Sequence, residues 1–187
     1  VPDDANCLMI NGPQKDITAD EKDRILDYME KGGHVLIFTD YTETDMPNMA
    51  ELLNNYGLST SAGLIFEGNS QHYYPGYPSY LIPRIQSADA VGSMTSKDLV
   101  LMPYAQNINI SDDVRSTVSA QPILQTSSKS YIKTDLKNLT TTEKASGDEE
   151  GPFTVGAAVT EDYNDVETKL VYFSSSALLD ENMNQAV

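Results

Sequence analysis

Apolar and polar positions along the first sixty residues mark out one element after another. Cys7-Leu8-Met9-Ile10 is a short unbroken apolar run, closed by Asn11-Gly12-Pro13. Such a run suits a strand buried in a parallel sheet better than a half-exposed antiparallel one. Thr18 followed three residues later by Glu21 is a capping box, in which each residue supplies an acceptor for an exposed N–H at a helix start. Ile25, Leu26 and Met29 then recur at helical spacing among Asp, Glu, Lys and Arg, and Gly32-Gly33 supplies a C-cap. His34-Val35-Leu36-Ile37-Phe38-Thr39-Asp40 predicts a second strand. Pro47 opens a second helix at a first-turn position, Leu52 and Leu53 face the core, and Tyr56-Gly57 closes it. Leu64-Ile65-Phe66 is a candidate third strand. Strand, helix, strand, helix, strand with right-handed crossovers gives a parallel sheet with helices on its faces.

Beyond Asn69 the helical period is lost. Tyr73, Tyr74, Tyr77 and Tyr80 crowd a stretch broken by Gly68, Pro75, Gly76, Pro78 and Pro83, which predicts an ordered loop or short edge strand. Short strand candidates follow at 99–102, 107–110, 114–118 and 122–126. Residues 138–151 are polar and turn-rich, through Thr140-Thr141-Thr142 to Gly151, and predict a mobile loop. Two apolar runs, 153–160 and 169–173, flank the acidic stretch Glu161-Asp162-Tyr163-Asn164-Asp165 and predict a hairpin. No internal repeat is visible.

Several of these segments share one register with a known family. Residues 3–13 (Asp-Asp-Ala-Asn-Cys-Leu-Met-Ile-Asn-Gly-Pro), 17–21 (Ile-Thr-Ala-Asp-Glu), 28–38 (Tyr-Met-Glu-Lys-Gly-Gly-His-Val-Leu-Ile-Phe) and 52–58 (Leu-Leu-Asn-Asn-Tyr-Gly-Leu) follow in order. So do Ile123-Leu124-Gln125-Thr126-Ser127, Gly151-Pro152-Phe153 through Ala157-Ala158, and Leu170-Val171-Tyr172-Phe173 with Ser174-Ser175-Ser176, leading to a helix bearing Asn182. Together they resemble the gliding-motility-associated ABC-transporter auxiliary family, the GldG-like proteins, over most of the chain except about residues 67–98. The resemblance implies a non-catalytic domain outside the cytoplasmic membrane of a bacterial cell, anchored by helices beyond this chain. Its implied partners are an ABC permease and a separate ATPase. The fold it implies is an α/β three-layer sandwich with a mainly parallel sheet, flavodoxin-like or class I glutamine-amidotransferase-like, with extra β-hairpins in the second half. An earlier strand of that fold is expected to be missing.

Composition narrows the function further. The 187 residues suit a single α/β domain with a sizeable core. Lys and Arg number 12 against 28 Asp and Glu, a net charge of −16. A phosphate backbone or an anionic lipid surface would be repelled, which disfavours nucleic acid and membrane-surface partners. No apolar run approaches the ~20 residues of a membrane span, and none of these residues reads as a signal peptide. The chain opens on Val1-Pro2 without Met and stops at Ala186-Val187 inside a helical pattern, so it is expected to be a piece of a longer, membrane-anchored protein. The single Cys7 forms no internal disulfide and leaves the compartment open.

Searches for reaction chemistry return little. Neither Gly12 nor Gly32-Gly33 is followed by the Gly-Lys-Ser/Thr of a phosphate loop. Ser174-Ser175-Ser176 follow a strand but lack the glycines of a nucleophile elbow. Cys7 begins a strand, where cysteine acts as a small buried hydrophobe, and neither His34 nor His72 is placed to activate it. Three scattered Cys and His residues argue against zinc, and the stretch 162–167 lacks the central Gly and closing Glu of a calcium loop. The chain is therefore expected to need no metal, cofactor or catalytic residue.

Two binding surfaces remain. Ligands of open α/β sheets sit beyond the carboxyl ends of the strands, an edge that here carries Asn11, Gly12, Pro13, Asp40 and Tyr41. The alternative, favoured by the turn-forming character of these residues, is that they only end the strands. Tyr73, Tyr74, Tyr77 and Tyr80 either form an exposed protein- or sugar-binding surface or pack on the chain's own core. The leading reading is a non-enzymatic, extracytoplasmic domain of an ABC-transport auxiliary protein. A periplasmic module that captures carbohydrate or another small molecule is the alternative, and an amidotransferase-like enzyme is a third.

Overall fold

A computed structural model describes residues 1–184 apart from Asp3 and Ser96. In chain order the elements are β1 (Cys7–Asn11), α1 (Ala19–Glu30), β2 (His34–Phe38), α2 (Pro47–Asn54), β3 (Leu58–Thr60), β4 (Leu64–Phe66), β5 (Tyr73–Tyr74), β6 (Tyr77–Leu81) and β7 (Arg84–Ile85). They continue as β8 (Met102–Pro103), β9 (Ile108–Ile110), β10 (Val118–Gln125), β11 (Tyr131–Lys133), β12 (Thr154–Tyr163), β13 (Val166–Phe173) and α3 (Glu181–Asn184). Residues 185–187, where the sequence pattern continues the last helix, lie outside the described residues.

Local sequence signals set the first elements. Thr18 Oγ1 accepts the Glu21 N–H at 3.2 Å, and Glu21 Oε2 accepts the Thr18 N–H at 2.8 Å, closing the capping box of α1. The helix ends in a Schellman motif. The Gly32 N–H donates to Met29 O and the Gly33 N–H to Tyr28 O, with Gly32 at φ +88°. For α2, Pro47 stands in the first turn and the N-cap residue Met46 offers no side-chain acceptor. Asp16 supplies one from the loop before α1: its carboxylate accepts the N–H groups of Asn48 and Met49 at 2.9 and 3.0 Å.

The largest sheet has six strands in the order β1-β2-β13-β12-β10-β7. β1 pairs with β2, and β2 with β13, in parallel. The other three pairings, β13–β12, β12–β10 and β10–β7, are antiparallel. The sheet is thus mixed, where a mainly parallel one was expected. The cause is the second half's connections: a two-residue turn can join only antiparallel strands. Asn164 and Asp165, at φ +51° and +62°, form that turn between β12 and β13, as a twist-matched hairpin requires. Glu161, Asp162 and Tyr163 are consequently part of the strand and not of the turn.

The expected third parallel strand moves as well. β4 leaves the main sheet and pairs antiparallel with β11, and the place beside β2 is taken by β13 from the far end of the chain. β13 fits there because both its faces bury: Leu170 and Tyr172 join one apolar cluster, Val171 and Phe173 pack on another. Phe173 stacks on Phe38 of β2 with ring centroids 5.2 Å apart. Of the candidate at 114–118 only Val118 enters a strand, β10, which also takes in 122–125 and passes Pro122 with irregular register. Of 99–102, only Met102 enters a strand.

The two clusters lie on opposite faces of the sheet. Ile25 and Met29 of α1, with Leu52 and Leu53 of α2, cover Val35, Ile37, Leu170 and Tyr172. The second face is covered by the short strands, through Ile65, Leu81, Met102 and Ile132 over Ile123, Leu124 and Val155. Helices therefore pack on one face, and small antiparallel sheets take the place of a helical layer on the other. That cover does not extend over β1, the sheet edge. Met9 is 54% exposed and Cys7 is exposed. The expectation of a fully buried first strand with a buried Cys7 is corrected: β1 has a neighbour on one side only. The loop 138–151 returns to β11, where the Ile132 N–H donates to Glu149 O and Lys133 pairs with Asp148 at 2.8 Å.

Candidate functional site

Parallel pairing of β1, β2 and β13 brings their carboxyl ends to one edge, and two of the sequence-predicted residues meet there. The Gly12 N–H donates to Phe38 O and the Thr39 N–H to Phe173 O, carrying the ladder past the strands. Gly12 stands at φ +54° against Asp40: a Cβ at residue 12 would lie 3.2 Å from Asp40 Oδ2 and 3.2 Å from Ser176 Oγ. Both carboxylate oxygens of Asp40 are engaged by Ser176, Oδ1 by its N–H at 2.8 Å and Oδ2 by its hydroxyl at 2.6 Å. Gly12, Asp40 and Ser176 therefore form a closed contact at the centre of the edge. Asn11 is exposed, and Pro13 and Tyr41 are half-buried to either side.

The neighbouring polar groups are also turned inward. Thr39 Oγ1 and Tyr172 Oη are 2.7 Å apart, and burial pushes the Tyr172 phenol up to about 12. Ser174 donates its hydroxyl to Gln106 O and Ser175 to Pro103 O, each at 2.7 Å. These bonds fasten the segment after β13 to the chain around β8. Chemically, the edge offers a Ser–Asp pair without an imidazole, since His72 is bonded to Ile82 O and His34 begins β2 at the opposite end. In the sequence Ser176 is only one of three small residues after a strand. Its pairing with Asp40 spans 136 residues and has no local signal.

The tyrosine cluster is assembled by a hairpin. β5 and β6 pair through Tyr74 and Tyr77 around Pro75-Gly76, and β6 pairs on its other side with β8, Tyr80 opposite Pro103. Ring centroids of Tyr74 and Tyr77 are 6.0 Å apart, those of Tyr77 and Tyr80 5.1 Å, and those of Tyr80 and Tyr104 5.2 Å. Tyr73 takes no part in these ring contacts. Tyr104 enters the row through the β6–β8 register, which sequence reasoning could not supply. It sits at φ +55°, a left-handed conformation that costs a non-glycine residue roughly 1–2 kcal/mol. Its N–H donates to Ser79 O at 2.9 Å, which holds the turn. Tyr77 is 54% and Tyr104 50% exposed, whereas Tyr74 and Tyr80 are half-buried beneath them. The row is thus an aromatic ridge with its base in the protein and its crest in solvent.

A buried carboxylate lies behind the ridge. Glu67 accepts the Asn69 N–H at 2.9 Å, the Ser127 N–H at 3.0 Å and the Ser127 hydroxyl at 2.7 Å. The residue ties the end of β4 to the turn before β11. Among the described residues no group of three or more His, Cys, Asp or Glu could hold a metal ion. No described helix is long and apolar enough to cross a membrane.

Comparison with known proteins adds three findings. The family described as "ABC-type uncharacterized transport system" matches residues 1–186. No curated protein matches the chain. Among solved structures, the mmIFT52 N-terminal domain superposes with a TM-score of 0.66 at 14% identity, over 96% of this chain and 70% of that one. That likeness is one of fold alone.

Proposed function

The chain belongs to the ABC-type uncharacterized transport system family, and on that premise we propose that it is a non-catalytic, extracytoplasmic domain of the gliding-motility type that docks onto the permease of its transport complex through the tyrosine ridge. The finer fold description that goes with this reading is a flavodoxin- or amidotransferase-like sandwich in which short sheets replace one helical layer. The family description itself implies association with an ABC transport system.

The ridge carries the proposal. Tyrosine gives a large contact area at low side-chain entropy cost and is enriched in the anchors of protein interfaces. A strained backbone that holds an exposed Tyr104 beside an exposed Tyr77 stabilises no core, so the strain is understood if the ring meets a partner. The net charge of −16 suits a partner surface that is basic. The closed Gly12–Asp40–Ser176 contact favours the reading of the strand-end residues as structural.

Protease treatment of intact spheroplasts tests the side of the membrane. External protease should cut the chain before lysis, and protection until lysis contradicts the reading. An ABC ATPase and permease encoded beside the gene support the partnership, and their absence sinks it.

A further inference from the structure

A second surface lies at the opposite end of the sheet from the strand-end edge. A cleft of about 880 Å³ opens between the ends of α1 and α2, the loop before β10 and the β12–β13 turn. Its volume falls within the range of roughly 300–1,000 Å³ usual for small-molecule sites.

Arg115 forms one wall, and all three of its guanidinium nitrogens bond within the protein. Its Nε and Nη2 donate to the two oxygens of Glu161 at 2.9 and 2.8 Å, and its Nη1 donates to the Asn55 backbone oxygen and Oδ1 at 2.8 and 2.9 Å. The guanidinium also covers the Tyr56 ring at 5.4 Å. Glu161 cancels its charge, and Glu30 adds a further negative charge felt by both Arg115 and Tyr56. An anionic ligand would therefore find Arg115's charge already neutralised.

Tyr56 is the group left unanswered. It is only 1% exposed and sits in the core, yet its hydroxyl has no hydrogen-bond partner among the described residues. The hydroxyl is not sealed from solvent either, so it faces the cleft whose wall Tyr56 forms. A buried phenol normally finds a partner, because desolvating it without one is unfavourable. The cleft is also lined by Tyr163, 61% exposed, and by Ser116 and Asn164, whose side chains hold no hydrogen bond among the described residues.

We propose that this cleft binds a short neutral saccharide. An aromatic ring at the rim suits the apolar face of a sugar ring. Hydroxyl and amide groups that both donate and accept suit its hydroxyls. An ammonium ligand is less well matched, because the one uncompensated carboxylate, Glu30, is exposed and solvated, where a single charge pair contributes little. This inference does not depend on the docking role of the tyrosine ridge.

The test is a backbone-amide NMR titration of the chain with glucose, galactose, mannose, N-acetylglucosamine and the disaccharides cellobiose and chitobiose, and separately with choline and spermidine. At least one saccharide should shift the amides of residues 55–57, 115–117 and 163–166 with a Kd of ~10 mM or tighter. Tyr56→Phe should weaken that binding about five- to tenfold. It should leave the melting temperature unchanged or raise it, because the hydroxyl has no partner among the described residues to lose. Tyr163→Ala, at the exposed rim, should weaken it similarly. Shifts from choline or spermidine alone, no shifts from any probe, or an affinity indifferent to both substitutions would overturn the proposal.

Discussion

Asp16 and Asn48 are 32 residues apart, and the carboxylate of the first begins the helix of the second. Asp16 Oδ2 accepts both the backbone N–H and the side-chain Nδ2 of Asn48 at 2.9 Å, while Oδ1 accepts the N–H of Met49. The loop that leaves β1 is thereby bound to the start of α2, and a helix whose own N-cap is a methionine gains an acceptor and a negative charge at its positive end.

This bond makes acid sensitivity predictable. Burial opposes ionisation of Asp16, but the hydrogen bonds from Asn48 and Met49 together outweigh it and hold its carboxyl below the usual aspartate value. A depressed folded value means that the stabilisation is complete above the unfolded pKa, about 3.9, and is lost as pH falls through the folded one. Asp16→Ala should cost about 1–2 kcal/mol at pH 7. Urea unfolding of both proteins at pH 7 and again below pH 3 should show the gap between them closing. A gap that stays constant would contradict the assigned cap.

Gly12 should resist substitution for two reasons that act together. Its φ of +54° disfavours any side chain, and a Cβ would press on the Asp40–Ser176 pair at 3.2 Å. Gly12→Ala is expected to cost about 1–2 kcal/mol, or a melting temperature lower by roughly 2–8 °C in a protein of this size. Calorimetry decides it: an unchanged melting temperature means that the closed edge is not as tight as described.

Cys7 should react as an exposed thiol. It lies on the open edge strand, and its thiol donates to the Leu8 backbone oxygen at 3.7 Å. A coloured aromatic disulfide reagent should titrate one thiol per chain in native buffer as fast as in denaturant. Protection that ends only on unfolding would show that β1 is covered.

What the sequence disclosed and what it withheld divide along contact distance. The capping box at Thr18 and Glu21, the Gly32-Gly33 stop, the apolar runs of β1 and β2 and the β12–β13 hairpin all depend on residues close in the chain, and all were readable. The insertion of β13 beside β2 was not, because an apolar run of both-faced burial does not say which neighbour it will take. Ser119-Ala120-Gln121 separate the two candidates that β10 joins, and a register irregularity lets the one strand carry Pro122. At the strand-end edge the meeting of Gly12 with Asp40 follows from parallel pairing, but the third member, Ser176, arrives only with β13. In the ridge, Tyr74, Tyr77 and Tyr80 stood out by spacing, whereas Tyr104 depends on a two-residue strand pairing. Nothing near Asp16 in the sequence sets it apart from the other acidic residues, 28 in all. Tyr56-Gly57 marks the end of a helix in the sequence, and nothing near it names Arg115 or Glu161.

The central claim is that the tyrosine ridge docks the domain onto its permease. Isothermal titration of the chain with the purified permease in detergent measures this directly, using the wild type, Tyr77→Ala and Tyr104→Ala. Both substitutions remove half-exposed rings, so their folds should be retained, which circular dichroism can verify. The account predicts saturable binding that each substitution weakens by about tenfold or more, as expected of interface anchors. Absence of binding, or equal affinity for all three proteins, would contradict it.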